Sequence, residues 1–175
     1  LKRAVQILLS MMSPVPAYFL LGFLVVAKAA TLCTDANIEL VARIVFGEAK
    51  GESAQGQLAV AYTVVNRVAH PGYPNTVSSV VNETYGSHHQ YNTLDNAQHD
   101  AAWKLAKAKY TTEYQNAKKA SGDALCRRKA DPTGCATDYC RYDPCSATNT
   151  NKYYVAYNKT HIGNHYFVCR RAVSG

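Results

Sequence analysis

Residues 34–69 read TDANIELVARIVFGEAKGESAQGQLAVAYTVVNRVA. Behind Thr34 or Asp35, either of which suits a helix N-cap, Ile38, Val41, Ile44 and Val45 recur at helical spacing. The pattern predicts a first helix that ends between Gly47 and Gly51. A second helix is predicted from near Ser53, with Gln57, Ala61, Val64, Val65 and Val68 along one face until His70-Pro71-Gly72 stops it. Asn66 and Arg67 point to different faces of that helix, and Asn66 is expected to close a buried hydrogen bond.

Outward from this pair the signals thin. A third helix is predicted from Asp95 through Ala101, Trp103 and Leu105 to Ala120, with Gly122 as its terminator and Trp103 as a core anchor. Val77 to Tyr91 reads as loop with one helical turn at Ser78 to Val81, and Ser146 to Lys152 as a polar loop. Tyr153 to Val155 and His165 to Cys169, rich in β-branched and aromatic residues, read as short strands. The fold class is mainly α with a small β element (α+β). None of the six histidines has metal-ligand spacing such as H-E-x-x-H, so no metal and no cofactor are expected.

The chain has 175 residues, 47% hydrophobic and 18% charged, which suits one domain with a buried core rather than a disordered polymer. Ala17 to Val26 is an unbroken apolar run closed by Ala27-Lys28-Ala29, so residues 1–29 are expected to be a signal peptide and 30–175 the working, secreted domain. A retained anchor is the competing reading, but the run is short for a bilayer span and follows Pro14 and Pro16. The chain opens on Leu1, and Met11 or Met12 reads as a start of translation. The formal charge of +7 includes Lys2, Arg3 and Lys28; without them 16 basic residues face 12 acidic ones, a scattered +4. That excess suits an anionic polymer or surface and does not specify nucleic acid.

Cys33, Cys126, Cys135, Cys140, Cys145 and Cys169 all follow the expected cleavage point. An even count in an exported chain predicts three disulfides, with Cys33 or Cys169 tying a terminus to the body, although the spacing does not choose the pairing. A zinc site is the alternative, disfavoured by the lack of any C-x-x-C pair. Asn82-Glu83-Thr84 and Asn158-Lys159-Thr160 are sequons that a eukaryotic secretory pathway would glycosylate. A monomer is expected.

The chemistry concentrates where the first two helices meet. Glu48 and Glu52 emerge there, four residues apart. A carboxylate between apolar helices can be desolvated until it serves as a general acid, which glycosidic cleavage requires beside support for an oxocarbenium-like transition state. Spacing alone favours the plainer reading, solvated helix-end charges with Glu52 near the second helix's positive end.

Resemblance reverses that order. Ala42 to Glu52, continuing through Gly56-Gln57-Leu58-Ala59-Val60-Ala61 to Val65-Asn66-Arg67-Val68, closely resembles the SleB-like cell wall hydrolases, the spore-cortex-lytic family. Similar blocks follow in order: His89 to Asp95 (HQYNTLD), Trp103 with Ala106, Asp131 to Thr137 (DPTGCAT), and Ile162 to Phe167 (IGNHYF). The resemblance spans residues 36–168. It implies a lysozyme-like or lytic-transglycosylase-like single domain, a glycosidase that cuts the β-1,4 backbone of peptidoglycan or a related amino-sugar polymer. It carries the proposed acid onto Glu48, with Glu52 as the second carboxylate. The family divides between hydrolysis and release of an anhydro sugar, where one carboxylate can act as acid and then as base. Lys50 stands where the family has Arg, and the cysteines and the Asp138 to Pro144 insertion depart from the bacterial members.

Four further residues are candidates for substrate binding. Gln90 and Tyr91 would line a sugar groove, Tyr91 by stacking, or else pack as ordinary loop residues. His165 and Tyr166 would position substrate or support Glu48, or else form a half-buried strand pair. The alternative function is a secreted module that keeps the fold, binds wall glycan and has lost catalysis; retention of Glu48 and Glu52 argues against it. A disulfide-rich signalling domain explains the cysteines but not the ordered blocks.

Overall fold

Thr34 begins the first helix, its hydroxyl oxygen accepting from the Asn37 N–H at 3.2 Å. The structure, a computed structural model, describes residues 32–142 and 154–172; the expected leader and the Ser146 to Lys152 loop lie outside them. Helix α1 (Asp35–Ala49) buries Val41, Ala42, Ile44, Val45, Phe46 and Ala49. Ser53 caps α2 (Ala54–Ala69), accepting from the Gly56 N–H at 3.2 Å. Every residue of α2 from Gly56 to Val65 is buried, so this is the central helix rather than the one-faced helix its pattern predicts.

A short helix α3 (Val77–Val81) leads into a hairpin of β1 (Thr84–Tyr85) and β2 (His88–His89), then a 3-10 turn at Asn92–Leu94. The predicted long third helix is two helices, α4 (Ala97–Ala108) and α5 (Thr112–Leu125). Tyr110 breaks it by taking a left-handed φ of 51°, while the Thr111 N–H bonds Ala106 O and the Tyr110 N–H bonds Lys107 O, both helix-closing bonds. Thr111 then caps α5. Gly122 does not terminate α5 but lies inside it, where a Cβ would approach Arg128 Nη1 at 3.3 Å; the stop comes at Arg127, φ 52°.

Helices α1, α2 and α5 pack against one another, and Trp103 joins the core between Phe46 and Tyr114 at centroid distances of 5.5 and 5.2 Å. A three-stranded antiparallel sheet in the order β3-β5-β4 closes the domain, with β3 Asp138–Cys140, β4 Tyr154–Ile162 and β5 His165–Ala172. The two terminal strands match the sequence expectation and extend it. Strand β3, within residues 138–144, has no counterpart in that expectation. Disulfides Cys33–Cys126 and Cys135–Cys169 tie both ends of the domain to its body, and Cys140 is disulfide-bonded to a partner outside the described residues. Oxidised sulfurs at Cys126, Cys135 and Cys140 displace the zinc alternative. Among the described residues no helix is long and apolar enough to cross a membrane.

Candidate active site

Glu48 stands in the last turn of α1, half-buried, directly after Gly47. A Cβ on Gly47 would lie 1.8 Å from Thr93 Oγ1, so only glycine lets the 3-10 turn close onto the helix. That closure lets the Thr93 N–H donate to Glu48 Oε1 at 3.4 Å. The turn is fastened twice over: Thr93 Oγ1 shares a 3.1 Å bond with His99 Nδ1, and Asp95 accepts from the His89 N–H at 2.7 Å and pairs with its Nδ1 at 2.6 Å. From β3 the Tyr139 hydroxyl hydrogen-bonds the Glu48 carboxylate. Burial, then the Glu48 charge, hold that phenol well above its ordinary range, so it stays a proton-bearing donor.

Glu52 is differently engaged. It reaches across to the Gly163-Asn164 turn between β4 and β5, where the Asn164 N–H donates to Oε2 at 3.2 Å and Asn164 Nδ2 donates to Oε1 at 2.9 Å. Gly163 has φ 59°, and a Cβ there would sit 2.0 Å from Glu52 Oε2. Burial pushes the Glu52 carboxyl up, but the two Asn164 bonds and the charges of His165 and Arg141 outweigh it and hold it below its ordinary value. His165 follows in β5, Nδ1 3.7 Å from Glu52 Oε1, its ring edge-on to Tyr139 at 5.3 Å. Burial lowers its pKa against the pull of Glu52 and Glu48.

Glu48, Glu52 and His165 therefore come together, while the other candidates separate. Tyr91 is 2% exposed, so the expected stacking on a sugar ring does not hold: no face of the phenol is open, and its hydroxyl accepts from Arg67 Nη1 at 3.2 Å. Tyr166 points off the opposite sheet face from His165 and stacks on His161 at 4.2 Å, so it does not support Glu48. Gln90 is half-buried at the end of β2, its N–H donating to Glu83 O at 2.7 Å.

Asn66 closes the expected hydrogen bond, Nδ2 donating to Asp131 Oδ2 at 2.8 Å and Ala136 O at 2.9 Å. Arg67, which sequence reasoning left unassigned, is the buried hub behind the site. Its Nε donates to Thr137 O at 2.6 Å and its Nη2 lies 3.6 Å from Asp138 Oδ1. Asp138 also accepts from Arg170 Nε at 2.7 Å and the Tyr73 hydroxyl at 2.9 Å. These bonds anchor the start of β3 and so place Tyr139. The available signal was position, since Arg67 falls three residues after Val64 on the apolar side of α2.

The family model described as Cell Wall Hydrolase matches residues 51–168. The chain belongs to the cell wall hydrolase family. The spore cortex-lytic enzyme of Bacillus cereus is 36% identical over 113 residues, covering 65% of this chain and 37% of that protein. The spore cortex-lytic enzyme of Halalkalibacterium halodurans is 34% identical over 116 residues, 66% of this chain and 30% of that one. This cell wall hydrolase thus spans about a third of the length of these relatives. It is similar in structure to the catalytic domain of the germination-specific lytic transglycosylase SleB of Bacillus anthracis, with TM-score 0.54 and 33% identity over 77% of this chain and 95% of that one. The catalytic domain of the Bacillus cereus SleB protein matches with the same TM-score and identity. The family match takes in Glu52, Arg67, Tyr139 and His165 and begins three residues after Glu48.

Proposed function

We propose that this cell wall hydrolase is a secreted enzyme that cleaves the β-1,4 glycan of peptidoglycan, with Glu48 as the proton donor. The carrying observation is the unequal engagement of the two carboxylates: Glu52 has both oxygens committed to the Asn164 turn, while Glu48 holds the Thr93 N–H and the Tyr139 hydroxyl and remains partly open to solvent. One available carboxylate suits a reaction in which the same group acts twice. Glu48 gives its proton to the glycosidic oxygen as the bond to the anomeric carbon breaks, leaving an oxocarbenium-like centre. Its carboxylate then accepts the proton of a hydroxyl on that same sugar, whose oxygen closes onto the anomeric carbon as an anhydro ring. The Thr93 N–H and Tyr139 hydroxyl stabilise the carboxylate between the two transfers. Glu52 positions the β4–β5 turn and with it His165. The similarity to a solved lytic transglycosylase domain supports this order of events.

The test is Glu48→Gln on purified peptidoglycan with mass spectrometry of the released sugars. General acid catalysis is worth on the order of 10²–10⁴ in rate, so the variant should lose at least that much while its melting temperature holds. Wild-type products should carry anhydro ends, one water lighter than hydrolysis products. A Glu48→Gln protein that still lyses peptidoglycan near the wild-type rate removes Glu48 from the mechanism.

A further inference from the structure

Within residues 138–144, Asp138–Cys140 form β3, and its register decides what stands beside the site. Tyr139 pairs with Phe167 and Cys140 with Tyr166. The strands run antiparallel, so beyond Cys140 the chain continues toward the His165 end of β5, with Arg141 in the bend that follows β3. Arg141 thus lies two residues after Tyr139, the residue that reaches Glu48, and near the start of β5, where Asn164 and His165 meet Glu52. Arg141 is exposed and has no ion-pair partner among the described residues. Its charge is nonetheless felt at both Glu52 and His165. Among the described residues no hydrogen bond or ion pair joins Arg141 to Glu52, whose two oxygens accept from Asn164. The buried arginines behave otherwise: Arg67 and Arg170 share Asp138. A guanidinium held at the rim of a glycan site, with its donors unspent, matches a carboxylate on the substrate.

We propose that Arg141 is a specificity residue that binds a carboxylate carried by the side groups of the glycan, which selects acid-bearing chains over neutral ones. The inference rests on the peptidoglycan reading above and names the part of the polymer recognised. Two sources offer that carboxylate, the lactyl group of a muramic residue without peptide and the free acids of a stem peptide.

The experiment uses wild type, Arg141→Gln and Arg141→Lys on two glycans, peptide-free chains and peptide-bearing chains, each before and after amidation of its carboxyl groups. Wild type should lose about tenfold in kcat/KM, carried by KM, when the recognised carboxylate is amidated, the worth of one charge-assisted contact. Whichever glycan shows the loss identifies the source. Arg141→Gln should show the same loss on the untreated glycan and no further change on amidation, with kcat unaltered, and Arg141→Lys should recover part of it. Equal losses for Arg141→Gln on untreated and amidated glycan, or none on either, overturn the proposal. If wild type cleaves none of the four glycans, the cleavage reading fails by itself. Calorimetric binding of wild type and Arg141→Gln to the same four then decides Arg141, with a difference between them confined to acid-bearing chains supporting it and any other pattern, including no binding, overturning it.

Discussion

Two glutamates four residues apart meet different fates because of what approaches them. Glu52 is met by a glycine and an asparagine in a tight turn, and its carboxyl is held below the ordinary value of 4.5. A group whose folded pKa is depressed contributes stability above its unfolded value and loses it as pH falls through the folded one. Glu52→Gln should therefore cost about 1–3 kcal/mol at neutral pH, the range for breaking a charge-assisted bond in a mostly buried site. The gap between variant and wild type should close in acid below pH 4.5. His165, depressed by burial, binds its proton more readily in the unfolded chain, so it also withdraws stability on acidification, but from its ordinary value of 6.5 downward. Melting curves of wild type, Glu52→Gln and His165→Gln from neutral pH downward separate the two windows. A Glu52→Gln difference that persists unchanged into acid would show that the Asn164 clamp does not depend on the carboxylate charge.

At the scale of elements, the site depends on how closely a turn can approach a helix. Gly47→Ala should push the Asn92–Leu94 turn off α1, since the added carbon meets Thr93 Oγ1 at 1.8 Å. Overpacking of this kind costs about 1–3 kcal/mol, and the displaced Thr93 N–H should lower kcat more than it raises KM. A crystal structure of the variant with the 3-10 turn unmoved would refute this account. Helices α1 and α2 were legible because Thr34 and Ser53 cap them by their own side chains and Pro71 follows the second, all local chemistry. The break between α4 and α5 was not, because Tyr110 adopts a left-handed conformation that ordinarily signals glycine, and helical periodicity runs through it. Strand β3 is three residues long and exists through pairing with β5, a distant partner that no local pattern announces. For the same reason Glu48 could be singled out from its motif, whereas Thr93 and Tyr139 could not. Tyr91 lay in the right block, but the Arg67 cluster claims its hydroxyl from the inside.

Across the whole molecule the two fully described disulfides should separate stability from activity. Cys33–Cys126 joins the start of α1 to the end of α5 over a sequence separation of 93, and Cys135–Cys169 spans 34. In the chain-entropy limit these closures are worth about 4.7 and about 3.8 kcal/mol, so either loss should lower the melting temperature by about 10 °C in a domain of this size. Their positions relative to Glu48 differ more than their energies. Cys33 precedes the first turn of α1, and Glu48 lies in its last, roughly 20 Å away along a helix that rises about 1.5 Å per residue. Cys135, by contrast, sits two residues before Thr137, which Arg67 holds, and four before Tyr139, which touches Glu48. The double variant Cys33→Ser/Cys126→Ser should therefore keep its kcat at temperatures well below melting. Cys135→Ser/Cys169→Ser should lose activity there even while folded, because the Asp131 to Thr137 loop and β5 are no longer joined and Tyr139 is less firmly placed. Thermal melts and peptidoglycan turnover measured on both variants at the same low temperature check this together. Equal retention of activity by the two would mean that the Asn66 and Arg67 hydrogen bonds alone suffice to hold β3 against the site.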